Sequence, residues 1–172
     1  MLARIPYQYI INFALFQTIW FAGALWANSS LWITLPCLIA LCLNIKIGVT
    51  DLKLLSICAV LGLIIDGSLI QSGLFILPST SSWLPLWLWL IWLAFALTLR
   101  HSLSYIIGNT KLAFVAGAIF GPVAYNGGKA LGAIEFGLPN WVISLILASI
   151  WGVIMLGLSL WLKHQPSTTA CN

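Results

Sequence analysis

The side chains of this sequence whose types can do chemistry are the few polar ones inside its long apolar segments. Asp66 is the clearest of these, because a charged side chain in hydrocarbon costs at least about 2.5–3.5 kcal/mol at mid-helix. At a rise of 1.5 Å per helical residue, Asp66 lies about 20 Å along the helix axis from Lys53. Residues at a similar helical depth in other segments complete a candidate ligand-binding layer, which consists of Gln17, Trp20, Asp66, Gln71, Tyr125 and Lys129.

Two interpretations of this layer stay open at this point. In the first, an internal hydrogen-bonded clamp holds Asp66 neutral or ion-paired and fixes the packing of helices. In the second, the layer is a binding pocket or a protonation site that opens to the outer face. Lys129 has a long stem, so it can bend inward to Asp66 or outward to lipid headgroups.

The fifth apolar segment carries the strongest spacing pattern, because small residues recur there at intervals of four. Small residues at this spacing let a neighbouring helix approach closely. The candidate packing residues are Ala113, Gly117, Gly121, Gly128 and Gly132, with Ser144, Ala148 and Gly152 as a matching face in the sixth segment. Pro122 predicts that the fifth helix is kinked or broken there. A broken helix would free backbone groups for a ligand, and this alternative to tight packing stays open.

Other reactive constellations are not found in the sequence. His101 and His164 have no second ligand at metal-binding spacing, and the four cysteines contain no C-x-x-C pair. No nucleophile–base pair and no cofactor motif can be assembled, so we expect neither an autonomous enzyme nor a cofactor or metal site. Trp87, Trp89 and Trp92 predict either packing or the lining of an apolar cavity.

The composition fixes the class of protein that must position these residues. Of the 172 residues, 62% are hydrophobic and 6% are charged, whereas an average soluble domain carries about 25% charged residues. Soluble enzymes and disordered chains are therefore excluded. The net charge of +4 comes from isolated basic residues, so no nucleic-acid partner is expected. The partner that the composition predicts is the lipid bilayer.

The apolar segments predict an all-α integral membrane bundle of about six transmembrane helices. We expect one multi-pass domain over residues 1–172, with a short polar tail at 163–172. Turn-forming residues separate the segments, such as Asn28-Ser29-Ser30 and Gly137-Leu138-Pro139. The predicted spans are residues 9–27, 31–45, 54–77, 84–99, 111–131 and 140–162.

The basic residues predict how this bundle is oriented. With both termini in the cytoplasm, the six-span arrangement places six basic residues inside and leaves Lys129 alone outside. A five-span arrangement places at best five basic residues inside and two outside. The six basic residues placed inside are Arg4, Lys46, Lys53, Arg100, Lys111 and Lys163. Tryptophans favour the headgroup level, and five of them fall at predicted span ends: Trp26, Trp32, Trp83 and Trp141 outside and Trp161 inside. Lys46, Asp51 and Lys53 are interpreted as an ordinary interfacial loop, and Arg100 and His101 as residues that set topology.

Several segments together resemble the bacterial membrane family catalogued as domain of unknown function 2878. They are Phe16-Gln17 with Trp20-Phe21, Asp66-Gly67, Arg100-His101-Ser102 after the fourth segment, and Gly121-Pro122 with Tyr125. The resemblance covers nearly the whole chain and implies a small bacterial inner-membrane protein without catalytic residues to carry over. Genes of that family often neighbour lipid-modifying methyltransferase-like enzymes, which implies a link to membrane-lipid chemistry. The architecture alone is also similar to the substrate-capture subunits of energy-coupling-factor vitamin transporters.

These observations lead to one functional expectation and two alternatives. We expect a multi-pass inner-membrane protein that binds a small or lipidic ligand, or a membrane-protein partner or second copy of itself, through the outer-half layer. The first alternative is a small-molecule transport subunit similar to a substrate-capture component. The second is an accessory component of membrane-lipid modification.

Overall fold

The computed structural model describes residues 7–78 and 84–165, and these form a bundle of α-helices. The predicted all-α bundle of about six long helices is confirmed, with one short helix added between the fourth and the fifth. Arg4, Trp83 and most of the polar tail lie outside the described residues. The helices are α1 Tyr7–Trp26, α2 Leu31–Asn44, α3 Val49–Gln71, α4 Leu86–Leu99, α5 Ser104–Gly108, α6 Thr110–Ala130 and α7 Asn140–Lys163.

Three helical stretches of the described chain are long and apolar enough to cross a membrane. They are Tyr7–Asn44, Val49–Gln71 and Asn140–Lys163. The first contains both α1 and α2, which are joined by the 3₁₀ turn Ala27–Ser30. Helix α4 is apolar but has 14 residues, which corresponds to a length of about 21 Å. The apolar helices make this a membrane protein, and the side of the membrane that each terminus occupies stays a prediction.

Helix α4 lies at the centre of the bundle, since most of its residues are buried. The most extensive helix packing in the fold joins α6 to α7, α1 to α2, α3 to α4 and α1 to α4. Neither α3 with α6 nor α4 with α7 is among these pairs. Large side chains therefore fill the space between the α3–α4 pair and the α6–α7 pair.

Helix α6 runs without interruption from Thr110 to Ala130, through Pro122 and the glycine pair that follows it. Of the two alternatives predicted at Pro122, a kinked or a broken helix, the broken helix is therefore wrong, and no unwound segment is available there for a ligand. Proline still removes one backbone donor and leaves the carbonyl of Ala118 without its usual helical partner. The helix ends at Ala130, and Gly132, two residues further on, has a φ of 80° in the left-handed region that favours glycine.

Helix α3 is displaced towards the N-terminus relative to the predicted span of residues 54–77. It begins at Val49, because the Asp51 carboxylate accepts a hydrogen bond from the backbone N–H of Gly48 and caps the first turn. It ends at Gln71, after which Gly73 turns the chain with a φ of 72°. The apolar residues beyond form β1 Phe75–Ile76, which pairs antiparallel with β2 Glu135–Phe136.

Candidate functional site

Asp66 lies fully buried between α3, α4 and α6, and each of its carboxylate oxygens accepts one hydrogen bond. The indole N–H of Trp92 donates to Oδ2 over 2.7 Å. The hydroxyl of Tyr125 donates to Oδ1, also over 2.7 Å. Trp151 of α7 stacks on Trp92 with ring centroids 5.0 Å apart. We call these four residues the Asp66 centre.

A glycine one turn before Asp66 determines where the Trp92 ring can lie. A Cβ atom on Gly62 would meet the Trp92 ring at 2.6 Å, a distance that real Cβ atoms do not occupy. Only glycine at this position therefore lets the indole reach across α3 to the carboxylate. The Trp92 side chain is itself 2% exposed, so its N–H has no water to which it can donate.

The chemistry of the Asp66 centre follows from its neutral donors and its burial. Asp66 has no relative exposure, and no ion pair between described residues includes it. A buried acid without a cation depends on its hydrogen bonds for stability. Such an acid can take up a proton, or it can receive a ligand that supplies the missing positive charge or a further hydrogen bond. In the described structure Trp151 Nε1 is buried without a hydrogen-bond partner.

Gln17 and Trp20 lie on α1 beside the centre and not within it. Gln17 lines a groove of about 390 Å³ between α1 and α2, together with Phe21 and Trp26. Its amide makes no hydrogen bond to a described residue. Trp20 packs edge-on against Phe21 with ring centroids 4.9 Å apart. The Trp20 ring also lies against Gly127 of α6, with its nearest atom 3.3 Å from where a Cβ of Gly127 would be.

Gln71 and Lys129 lie apart from Asp66. Gln71 is exposed at the end of α3. Lys129 donates to the Asn140 side-chain oxygen over 2.7 Å, and its Nζ lies 3.8 Å from Glu135 and 4.9 Å from the centre of the Phe136 ring. Of the six predicted layer residues, the structure thus brings together Asp66 and Tyr125, and the other four make no hydrogen bond to Asp66.

The predicted packing residues fall into two groups. The α6–α7 contacts involve Gly117 and Gly121, which face Trp151, and Gly152, which faces Phe114. Ala113 is buried in the core, Ser144 accepts a hydrogen bond from Asn126 Nδ2 over 2.9 Å, and Ala148 is partly buried. No described atom lies within 4 Å of where a Cβ of Gly128 or Gly132 would be, and Gly132 lies beyond the helix end.

A second polar cluster lies at the opposite end of α3, where the sequence indicated only loop and topology residues. Asp51 is 2% exposed. Its carboxylate accepts a hydrogen bond from Arg100 Nη1 over 2.9 Å and lies 3.5 Å from His101 Nε2. Burial lowers the pKa of His101 below its ordinary value, although Asp51 acts in the opposite direction. The interfacial-loop interpretation of Asp51 is therefore wrong, because this carboxylate joins the start of α3 to the segment after α4.

Asn12 links α1 to α4 and to the segment after α4, a role that the sequence does not predict. It is fully buried in α1. Its amide nitrogen donates to the carbonyl of Leu97 over 3.2 Å, and its oxygen accepts from the hydroxyl of Ser102 over 2.6 Å. A polar residue near the start of an apolar helix was the available signal, but nothing in the sequence indicated its partners.

Comparison with known proteins identifies the family of this chain. A family model described as a protein of unknown function, DUF2878, matches residues 9–157. The chain belongs to this family. The match extends from α1 into α7 and includes every residue of the Asp66 centre. No curated protein and no solved structure matches the chain.

Proposed function

We propose that this protein is a multi-pass inner-membrane protein of bacteria that binds a small or lipidic ligand at the Asp66 centre. One observation carries the proposal: a fully buried acid lies between three helices, and its hydrogen-bond partners are all neutral. An ionisable residue within membrane helices most often marks a ligand or proton site. A purely structural clamp would be served equally well by an amide, which has no charge to desolvate.

The surroundings of the centre support a ligand that arrives from the membrane. Side chains, rather than close backbone packing, fill the space between the α3–α4 pair and the α6–α7 pair. Movement of the aromatic rings can therefore open space between the two pairs. Phe21 and Trp26, which line the α1–α2 groove, are 49% and 53% exposed, so an apolar ligand can reach this groove from the lipid.

We also propose that both termini lie in the cytoplasm. In support, Arg100, Lys163 and Lys53 lie at one end of the bundle, where they contact Asp51, Thr110 and Gln165 respectively. Lys129 lies at the other end, which also carries the exposed rings Trp26, Trp32 and Trp141. Basic residues favour the cytoplasmic side and tryptophans the headgroup level. Reporter fusions after Ser30 and Gly137 should both show a location outside the cytoplasm, and a cytoplasmic signal at either would overturn the orientation.

The binding proposal is tested by what co-purifies with the protein. Native mass spectrometry of protein extracted in mild detergent should reveal a bound molecule of defined mass. Asp66→Asn removes the charge and one acceptor oxygen, and Tyr125→Phe removes the hydroxyl that donates to Asp66. Since a hydrogen bond to a charged group is worth about 1.5–3 kcal/mol, each variant should reduce the occupancy at least about tenfold.

A matched control keeps this test specific to the centre. Tyr105→Phe removes the same hydroxyl from a residue that is 84% exposed, and it should leave the bound molecule unchanged. If folded Asp66→Asn protein retains the same molecule at the same occupancy as the wild type, the Asp66 centre is not the binding site. Circular dichroism and size-exclusion elution establish that each variant is folded.

A further inference from the structure

The charge of Asp66 is not balanced by any described side chain. The ion pairs of the described residues join Asp51 to Arg100 and His101, and Glu135 to Lys129. Asp66 accepts hydrogen bonds from an indole and a phenol, and neither carries a positive charge. In a low-dielectric interior, burying a charge without a countercharge costs more free energy than two hydrogen bonds from neutral donors contribute. An ionised Asp66 thus lacks a countercharge, which either a bound proton or a cationic ligand can supply.

Lys129 is the basic residue on α6 that follows Tyr125 by one turn, and it does not supply this charge. Its ammonium group is held by Asn140 at 2.7 Å, by Glu135 at 3.8 Å and by the face of the Phe136 ring at 4.9 Å. These contacts direct it to the loop between α6 and α7, on the outer side of β2. Turning it inward would leave Glu135 without its partner.

Aromatic rings surround the carboxylate where the missing charge would lie. Trp92 and Trp151 stack with centroids 5.0 Å apart, and Tyr125 lies 6.3 Å from Trp151. Phe75 lies 5.1 Å from Tyr125 and closes the side towards the strand pair. The faces of indole and phenol rings attract cations within about 6 Å, and tryptophan does so most strongly.

We infer that the ligand of the Asp66 centre is an organic cation, namely an amine or quaternary ammonium group on an apolar chain. This inference rests on the proposed function and specifies its ligand class. The carboxylate supplies the opposite charge, and the rings of Trp92, Tyr125 and Trp151 contact the alkyl groups around the nitrogen. A ligand that reaches the carboxylate must displace the Trp151 ring, whose N–H has no hydrogen-bond partner among the described residues but which packs against Gly121 of α6 and stacks on Trp92.

A matched pair of probes tests the ligand class. Purified protein in maltoside detergent is titrated with decyltrimethylammonium and, separately, with 1-decanol, which has the same chain length and no charge. Intrinsic tryptophan fluorescence and melting temperature report binding. The ammonium probe should bind saturably and at least about tenfold more tightly than decanol. Asp66→Asn and Trp151→Leu should each weaken its binding at least about tenfold, the second without removing a hydrogen bond to Asp66.

A control variant and the outcomes complete the test. Trp89 lies on α4, as Trp92 does, but its indole N–H donates to the carbonyl of Ala59 and its ring lines a different groove. Trp89→Phe should therefore leave ammonium binding unchanged. Equal affinity for both probes, or ammonium binding that survives Asp66→Asn, would overturn the cation inference. If decanol binds saturably and Tyr125→Phe abolishes its binding, the proposed function stands and its ligand is neutral. If neither probe binds and no molecule co-purifies, both proposals fail.

Discussion

The substitution Gly117→Ala tests how closely α6 and α7 must approach. A Cβ atom on Gly117 would lie 2.3 Å from the backbone oxygen of Trp151 and 2.8 Å from Cγ of Met155. The contact with a backbone atom cannot be relieved by a rotamer change. Helix α6 would have to recede by 0.7 Å to restore even the 3.0 Å that real Cβ atoms require.

The expected loss of stability can be worked out from two opposing effects. Overpacking a dense interface costs typically about 1–3 kcal/mol, and contact with backbone favours the upper end. Alanine gains about 1 kcal/mol over glycine in a helix interior. The net loss is therefore about 2 kcal/mol. Gly128→Ala gains the same helix propensity but places its Cβ where no described atom lies within 4 Å, so the two variants should differ by about 3 kcal/mol.

Thermal unfolding of the two variants in the same detergent measures this difference. On the scale of soluble proteins of this size, 3 kcal/mol corresponds to a gap of about 6–12 °C in melting temperature. Gly117→Ala should melt below the wild type, and Gly128→Ala at or above it. A gap of less than about 2 °C would refute the close approach of α6 and α7, because it would show that a methyl group fits between Gly117 and the Trp151 carbonyl oxygen.

Two further predictions concern the polar clusters. Gly62→Ala should push the Trp92 ring away from Asp66, because the added methyl meets that ring at 2.6 Å. We expect a red shift in tryptophan fluorescence and a lower melting temperature, which corresponds to a loss of about 1–3 kcal/mol in the free energy of unfolding. An unchanged fluorescence spectrum would contradict this prediction. His101 has a lowered pKa, so the unfolded chain takes up its proton first as the pH falls through about 6.5. The wild type should therefore lose more melting temperature than His101→Gln between pH 7.5 and 5.5, and parallel losses would show that His101 is not responsible.

Much of the helical framework could be predicted because hydrocarbon allows few alternatives. Backbone groups in a membrane must be paired within helices or closed barrels, so long apolar segments separated by turn residues indicate helices directly. The bounds of α3 show where this reasoning stops. That Asp51 belongs to the helix is not predictable from neighbouring residues alone, because its burial depends on Arg100, which is 49 residues away, and its cap depends on Gly48.

The partners of the buried polar residues could be predicted only in part. Helical depth placed Asp66 and Tyr125 at a common level, since rise per residue is fixed. The rotation of each helix about its axis is not fixed by depth, and this rotation decides that Trp92 reaches Asp66 while Lys129 turns to Asn140. Asn12 and Ser102 illustrate the same limit, because their hydrogen bond joins residues 90 positions apart.

The short length of α2 has a consequence for the lipids that surround the protein. Its 14 residues span about 21 Å, whereas the hydrocarbon core of a bilayer is about 30 Å thick. Unlike the equally short α4, α2 lies at the periphery, with Leu43 81% and Ile39 61% exposed. Acyl chains next to α2 must therefore shorten or tilt to match it. A bilayer that α2 crosses would therefore be thinner along this flank of the bundle, which borders the groove that contains Gln17.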